Sequence, residues 1–412
     1  MGSRRRARGW RSWRCNWSNR GCNSRSWLTS PYLKVMRTMI PPTSRRVKAN
    51  WVIFVRAYAP RPLYVSRRLD YNDRRETKLG EVSGMTEAFK KGYIGNEGQL
   101  VTLRRVTIDE GKARGTQVIE VATAGGLSVD ILPDNGLDIG QVRFRGRNMT
   151  FITKNGLVSP ERMLPYENEF LHYFPGGLVY TCGLRSAGPA NRDGDEWHPL
   201  HGRYHGTPAE QVAARVEDGH VVIAGVVRDT ALFGQVLELK RTISIGCEDA
   251  VIEIRDEVSN LAPRDEEIMM VYHCNFGYPL LSETAELTLP EARETLPRTE
   301  FARQGLNKTT TFEPPVDNEE ERCFFQKMKD EFHVTLSNSA ISTRMDMEWS
   351  GDTLPIMVEW RSMASGDYAL GLEPSNSTIM GRRAQREDGT LPVLKAGETI
   401  ENRVRFAFSD LC

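Results

Sequence analysis

Val236-Leu237-Glu238-Leu239-Lys240-Arg241-Thr242-Ile243-Ser244-Ile245 alternates apolar and polar side chains across ten positions. A period of two puts every second side chain on one face of a pleated backbone, so this run predicts a strand half buried against a core. The turn-forming Gly246-Cys247-Glu248-Asp249 closes it, and Val251 to Ile254 resumes the pattern. Working outward, the same signature recurs at Val101 to Ile108, Val118 to Val121, Ser128 to Leu132, Val221 to Val227, Leu354 to Trp360 and Val404 to Phe408. Gly, Pro, Asn and Asp separate these runs, as in Pro133-Asp134-Asn135-Gly136. Helical segments are few, the best candidate being Glu319 to Lys329, and no internal repeat is present. The predicted class is therefore mainly β, a single large antiparallel β-sandwich over residues 86–412 rather than several small ones.

Residues 1–85 read differently. Five of the eight tryptophans (Trp10, Trp13, Trp17, Trp27, Trp51) lie here among arginines and serines, with no sustained period of 2 or 3.6. Residues 1–78 carry 20 Lys and Arg against Asp70, Asp73 and Glu76, so a chain of net charge +1 divides into a strongly basic start and an acidic body. The acidic body argues against nucleic acid or anionic membrane as the main domain's partner; such a partner would use the N-terminal segment. Three readings of that segment stand: a disordered basic arm that binds a polyanion, an Arg- and Ser-rich targeting peptide, or a stretch upstream of a misassigned start, with Met36, Met39 or Met85 as the later one and Met85 just before the regular pattern begins. A secretory signal is disfavoured, because no apolar h-region lies between Met1 and Tyr32. No membrane span is expected either: Trp51 to Val55 ends at Arg56, against the roughly 20 apolar residues a spanning helix needs.

Seven cysteines (Cys15, Cys22, Cys182, Cys247, Cys274, Cys323, Cys412) are sparse, odd in number and without CxxC spacing. Neither a disulfide framework nor a zinc site is indicated, and a cytoplasmic setting is the simplest reading.

Three clusters carry candidate chemistry. His198-Pro199-Leu200-His201-Gly202-Arg203-Tyr204-His205-Gly206 holds three of the seven histidines in a Gly- and Pro-rich loop, compatible with a structural loop, a metal site at His198, His201 and His205, or an organic-substrate loop. No HExxH helix or carboxylate cluster completes a metal site. Tyr272-His273-Cys274-Asn275-Phe276-Gly277-Tyr278-Pro279 ends a strand-like run in a histidine among aromatics, which suits either a cleft wall or a hydrogen-bonded core histidine. Tyr368-Ala369-Leu370-Gly371-Leu372-Glu373-Pro374-Ser375-Asn376 puts Glu373 at the end of an apolar run, where burial would raise its pKa and make it a usable base near neutral pH. A glutamate capping a turn is the plainer alternative.

In order and separation, the Leu200-His201-Gly202, His273-Cys274-Asn275-Phe276 and Gly371-Leu372-Glu373-Pro374 pieces resemble the galactose mutarotase (aldose 1-epimerase) superfamily, including its uncharacterised DUF4432-like members. Pro133-Asp134-Asn135-Gly136-Leu137-Asp138-Ile139-Gly140 and the closing strand after Lys395-Ala396-Gly397-Glu398 add to the resemblance, which covers residues 95 to 410. It implies a sugar substrate, no cofactor and no metal. It implies acid–base interconversion of anomers, with Glu373 as base, His273 as acid on the opposite side of the C1–O5 unit, and His201 as a further donor. Arg185, Asp138, His205 and Asn275 are the implied substrate-binding residues. Two other functions fit the same resemblance: a non-catalytic carbohydrate-binding or sensing protein, and an isomerase or lyase acting on a modified sugar. The oligomeric state is not specified.

Overall fold

The computed structural model describes residues 87–88 and 90–411, and the basic segment at 1–85 lies outside them. Two large sheets dominate. The larger has eleven strands, in the order Val101–Thr107, Gln117–Thr123, Leu127–Leu132, Asp138–Phe144, Val179–Cys182, Val271–Phe276, Ala369–Ser375, Ile356–Ser362, Arg322–Met328, Ala292–Pro297, with the short Arg147–Asn148 pairing beside Asp138–Phe144. The second has eight: Ala285–Thr288, His333–Asn338, Thr343–Trp349, Thr399–Asp410, Val251–Asn260, Val236–Gly246, His220–Thr230, Glu210–Glu217. Each run of alternating residues named above meets one of these strands, with Ile108, Leu354 and Pro355 lying just outside.

The period-2 pattern explains how the sheets stack. Leu237, Leu239, Ile243 and Ile245 turn inward from the second sheet and meet Ile119, Ile131, Tyr272, Cys274, Leu370 and Leu372 of the larger one in one continuous core. Phe144 and Phe408, one from each sheet, lie with ring centroids 6.1 Å apart. The centre of the larger sheet is also covered on its other face. There Tyr180, Cys182, Val271, Phe325, Val358 and Ala369 pack under Phe151, Phe170, Tyr173 and Phe174. Strands buried on both faces lose the alternation that half-buried strands show. That accounts for one correction: Glu319 to Lys329, expected as a helix, contains the strand Arg322–Met328, whose Cys323, Phe324, Phe325 and Gln326 are all buried.

At the Pro133 to Gly136 turn the backbone is left-handed at Gly136 and Leu137 (φ 66° and 54°). A Cβ on Gly136 would stand 2.7 Å from the Tyr204 ring, so only glycine fits. Beneath this turn a polar network joins the sheets. Arg241, fully buried, donates to Asp256 (2.7 and 2.9 Å), to Asp138 (2.6 Å) and to the Thr181 hydroxyl (3.0 Å). Asp138 also accepts from the Thr181 N–H (2.9 Å) and hydroxyl (2.5 Å), and Tyr272 donates to Asp256 (2.7 Å).

Among the described residues no helix is long and apolar enough to cross a membrane, and Cys182, Cys247, Cys274 and Cys323 are free and buried. Because the core of the described residues is assembled from positions between Val101 and Phe408, a chain beginning at Met85 is expected to melt cooperatively, close to the full-length protein. Precipitation, or loss of the sharp transition in calorimetry, would show that the N-terminal segment is needed for folding.

Candidate active site

On the outer face of the larger sheet, the alternation within adjacent strands sets the site. Tyr272 and Cys274 point into the sandwich, so His273 between them points out. Across the ladder His273 stands opposite Tyr180, and Glu373 opposite Val358. Since Val271 pairs with Ser375 and Cys274 with Leu372, His273 and Glu373 face each other on neighbouring strands. The imidazole Nε2 lies 3.2 Å from Glu373 Oε1. The contact is not aligned as a hydrogen bond, and both carboxyl oxygens of the fully buried Glu373 are without a partner. An unpartnered buried carboxyl is costly and is seldom retained for stability alone. Glycine at 371 leaves room for it: a Cβ there would stand 2.5 Å from Oε1.

His201 arrives from the loop rather than the sheet. Its backbone is left-handed (φ 61°), a conformation of order 1–3 kcal/mol above the ordinary wells for a non-glycine residue. Its ring packs 4.9 Å from Phe170 and 5.6 Å from the His273 ring, centroid to centroid. The Gly188 N–H points at Nδ1 from 3.5 Å, which makes Nδ1 the acceptor and leaves Nε2 as the protonated nitrogen.

These three side chains line a cavity of about 570 Å³ together with Phe151, Phe174, Trp360, Arg298 and Glu321. Trp360 Nε1 donates to Glu321 (2.7 Å), and Arg298 donates to the other oxygen of the same carboxylate. The Trp360 ring stands edge-on to His273, 5.5 Å between centroids. At the mouth, Lys154 and Asp367 form an ion pair at 2.7 Å. The volume falls in the ordinary range for small-molecule sites, and a few convergent polar groups on aromatic walls are typical of them.

Electrostatics favour an uncharged trio. Burial raises the Glu373 carboxyl well above the usual range; Arg298 opposes this and Glu321 adds to it. Burial and the neighbouring His201 push His273 well below its ordinary value. Burial, aided by the Arg298 cation and opposed by Glu321, brings His201 down to about 4.

The remaining sequence candidates do not line this cavity. Arg185 donates to Glu266 (2.6 Å) and to Glu196, so its guanidinium is engaged in ion pairs. Asp138 belongs to the inter-sheet network, and His205 sits on it, Nδ1 to Oδ2 at 2.6 Å, with its ring stacked on Tyr180. Burial alone would raise the Asp138 pKa; His205 and Arg241 bring it below the usual range. Asn275 is fully buried beneath the site and donates to the carbonyls of Gly177 (3.1 Å) and His273 (2.8 Å). His198, His201 and His205 have three different sets of neighbours, and among the described residues no group of three or more His, Cys, Asp or Glu is placed to hold a metal.

Nor do the acid and base stand on opposite sides of a ring-sized gap. Cross-strand pairing sets His273 and Glu373 side by side on one wall. Trp360, Arg298 and Glu321 were not singled out in the sequence. Trp360 left a faint signal, as a tryptophan on an apolar strand run; Arg298 beside a strand and Glu321 within a run of charges left none.

Residues 113–408 match the family model DUF4432, a domain of unknown function. The chain belongs to the DUF4432 family. No curated protein sequence matches this DUF4432 chain. Among solved structures, a candidate aldose 1-epimerase from Klebsiella pneumoniae superposes with a TM-score of 0.71 at 20% identity, over 75% of this chain and 83% of that one. A galactose mutarotase-like protein from Clostridium acetobutylicum and a galactose 1-epimerase from Lactobacillus acidophilus each give 0.53 at 16% identity, over 76% of this chain and all of theirs. The DUF4432 domain here thus has the galactose mutarotase-like sandwich fold.

Proposed function

We propose that this chain is an aldose 1-epimerase-type isomerase that interconverts the anomers of a sugar, a soluble carbohydrate-metabolising enzyme of the cytoplasm. The observation that carries the proposal is the unpartnered, buried Glu373 carboxyl in contact with His273 at the floor of an aromatic-walled cavity. Anomer exchange needs a proton removed from the C1 hydroxyl and one given to the ring oxygen. Both oxygens are bonded to the same carbon, so an acid and a base side by side can serve them together.

The pair shares one proton. With that proton on His273, the Glu373 carboxylate takes the proton of the C1 hydroxyl while the imidazolium gives its own to the ring oxygen. The C1–O5 bond breaks and C1 becomes a carbonyl. Rotation about C1–C2 followed by the reverse transfers closes the ring on the other face. Neutral His201, protonated at Nε2, donates to the ring oxygen or a neighbouring hydroxyl, and Trp360 offers an aromatic wall for the sugar's C–H face.

The test is magnetisation exchange between α and β anomer signals of common aldoses, run with and without a strong chelator. The expected result is exchange above the buffer rate, unchanged by chelation. Exchange at the buffer rate for every aldose, with saturable sugar binding, would replace the enzyme with a binding protein. Loss of exchange on chelation would restore the metal alternative.

A further inference from the structure

Arg298 follows directly on the strand Ala292–Pro297, and its backbone N–H donates to the carbonyl of Cys323 on the next strand (2.9 Å). Cys323 stands opposite Trp360, and Trp360 opposite Gly371, two residues before Glu373. The ladder thus brings Arg298 and Trp360 to the level of the proposed base. Glu321 ties the two together: one carboxyl oxygen accepts from the Trp360 indole N–H (2.7 Å) and the other from the Arg298 guanidinium. Gly371 lets the row close up, since a Cβ there would stand 2.5 Å from Glu373 Oε1 and 3.2 Å from the Trp360 ring. The indole therefore lies alongside the Glu373 carboxyl, with Glu321 and Arg298 beyond it.

Arg298 has donors to spare. A guanidinium carries five N–H groups, and among the described residues this one has a single side-chain partner, Glu321. Its side chain is 26% exposed and lines the cavity. Its charge acts on both Glu373 and His201, as befits a neighbour of the reacting groups. Arg185 is held instead between Glu196 and Glu266, and Lys154 stands at the mouth against Asp367. We propose that Arg298 is the substrate-binding arginine of this cavity, giving its free N–H groups to the hydroxyls of an uncharged sugar, and that Glu321 is the positioning residue that aims it. Hydroxyls suit it better than a phosphate or carboxylate because Glu321 already answers its charge while leaving most of its hydrogens unused. The assignment rests on the sugar-site reading but does not need turnover.

The experiment measures saturable binding of D-galactose, D-glucose and D-glucuronate to the full chain, alongside anomer exchange. Binding is followed at the Trp360 indole N–H signal, assigned by its loss in Trp360→Phe. Arg298→Met keeps the apolar stem and removes the donors; it is expected to weaken binding of the two neutral sugars by roughly tenfold or more, the scale for hydrogen bonds to a charged group, with exchange at saturation changed far less. Unchanged affinity in that variant overturns the proposal. Glu321→Gln keeps an acceptor for the indole and removes the countercharge, so the indole signal should stay near its wild-type position while glucuronate gains affinity relative to glucose. An unaltered preference removes Glu321 from the account, and a wild-type preference for glucuronate overturns the uncharged ligand. Melts accompany both variants; should Arg298→Met fail to fold, Arg298→Lys, which keeps the charge and loses the fork of donors, is read in its place. Binding without exchange would sink the isomerase reading and leave Arg298 judged by affinity, whereas no binding of any of the three sugars to wild type would overturn both.

Discussion

Glu373→Gln and His273→Asn are each expected to lower kcat for anomer exchange by roughly 10²-fold or more, the scale of a positioned acid or base, with sugar affinity little changed. The double variant should be barely worse than either single one, since a base without its acid is no better than neither. Near-full activity in Glu373→Gln would remove the proposed base. His201→Asn should instead move KM and kcat together, as befits a donor that also binds. The pH profile follows from the three environments. The rate should be flat through neutrality, fall in acid as His201 charges near 4, and fall in alkali once Glu373, raised by burial, gives up the proton it shares. Stability should decline over a range of pH in which the rate still holds. Folded Glu373 keeps its proton at pH values where an unfolded glutamate, ordinarily titrating near 4.5, has lost it. The native state therefore binds more protons in that window, and stability falls as pH rises through it. Glu373→Gln removes that cost, so the variant should melt no lower than wild type at neutral pH while being nearly inactive.

Arg241→Leu is expected to destabilise the protein by roughly 3–5 kcal/mol, the scale for removing one partner of a buried ion pair. The guanidinium is fully buried between Asp138 and Asp256, and both of those carboxylates are buried as well. Deleting the cation leaves two negative groups across the seam of the sandwich with only His205, Thr181 and Tyr272 to answer them. Adding Asp256→Asn should recover part of the loss, so the double variant would fall short of the sum of the singles. Chemical denaturation curves provide the measurement. An Arg241→Leu midpoint within error of wild type would mean that the network contributes nothing to folding.

Sequence periodicity carried most of the architecture because most strands are half buried. Val236 to Ile245 announces its inward leucines and isoleucines plainly, and the strand runs Val236–Gly246. It failed at Arg322–Met328, where burial on both faces erases alternation. His201, His273 and Glu373 were legible through their order along the chain, and the fold brings all three to one cavity. Arg185, Asp138, His205 and Asn275 were expected to bind substrate but are engaged elsewhere, in ion pairs, in the seam between sheets and under the site. Residue type announces that a polar side chain needs a partner; only the fold says whether that partner is a ligand or the protein itself.

His273 and Glu373 are borne by adjacent strands at the middle of the larger sheet, while His201, Phe151, Phe170, Phe174, Arg298 and Glu321 reach the cavity from outside those strands. On the proposed function, reaction and recognition would be held by largely separate parts of the chain. The His273–Glu373 pair is tied into backbone ladders on both sides and tolerates little displacement. Most of the surrounding walls hang from connections between strands, although Phe151 and Arg298 are tied by their backbone N–H groups to the carbonyls of Asn275 and Cys323. A graft of the 151–174 segment or the 298–321 segment from another sandwich of this kind would therefore redirect which molecule is held while leaving the proton transfer where it is, which makes this sheet a scaffold for swapping substrate preference piece by piece.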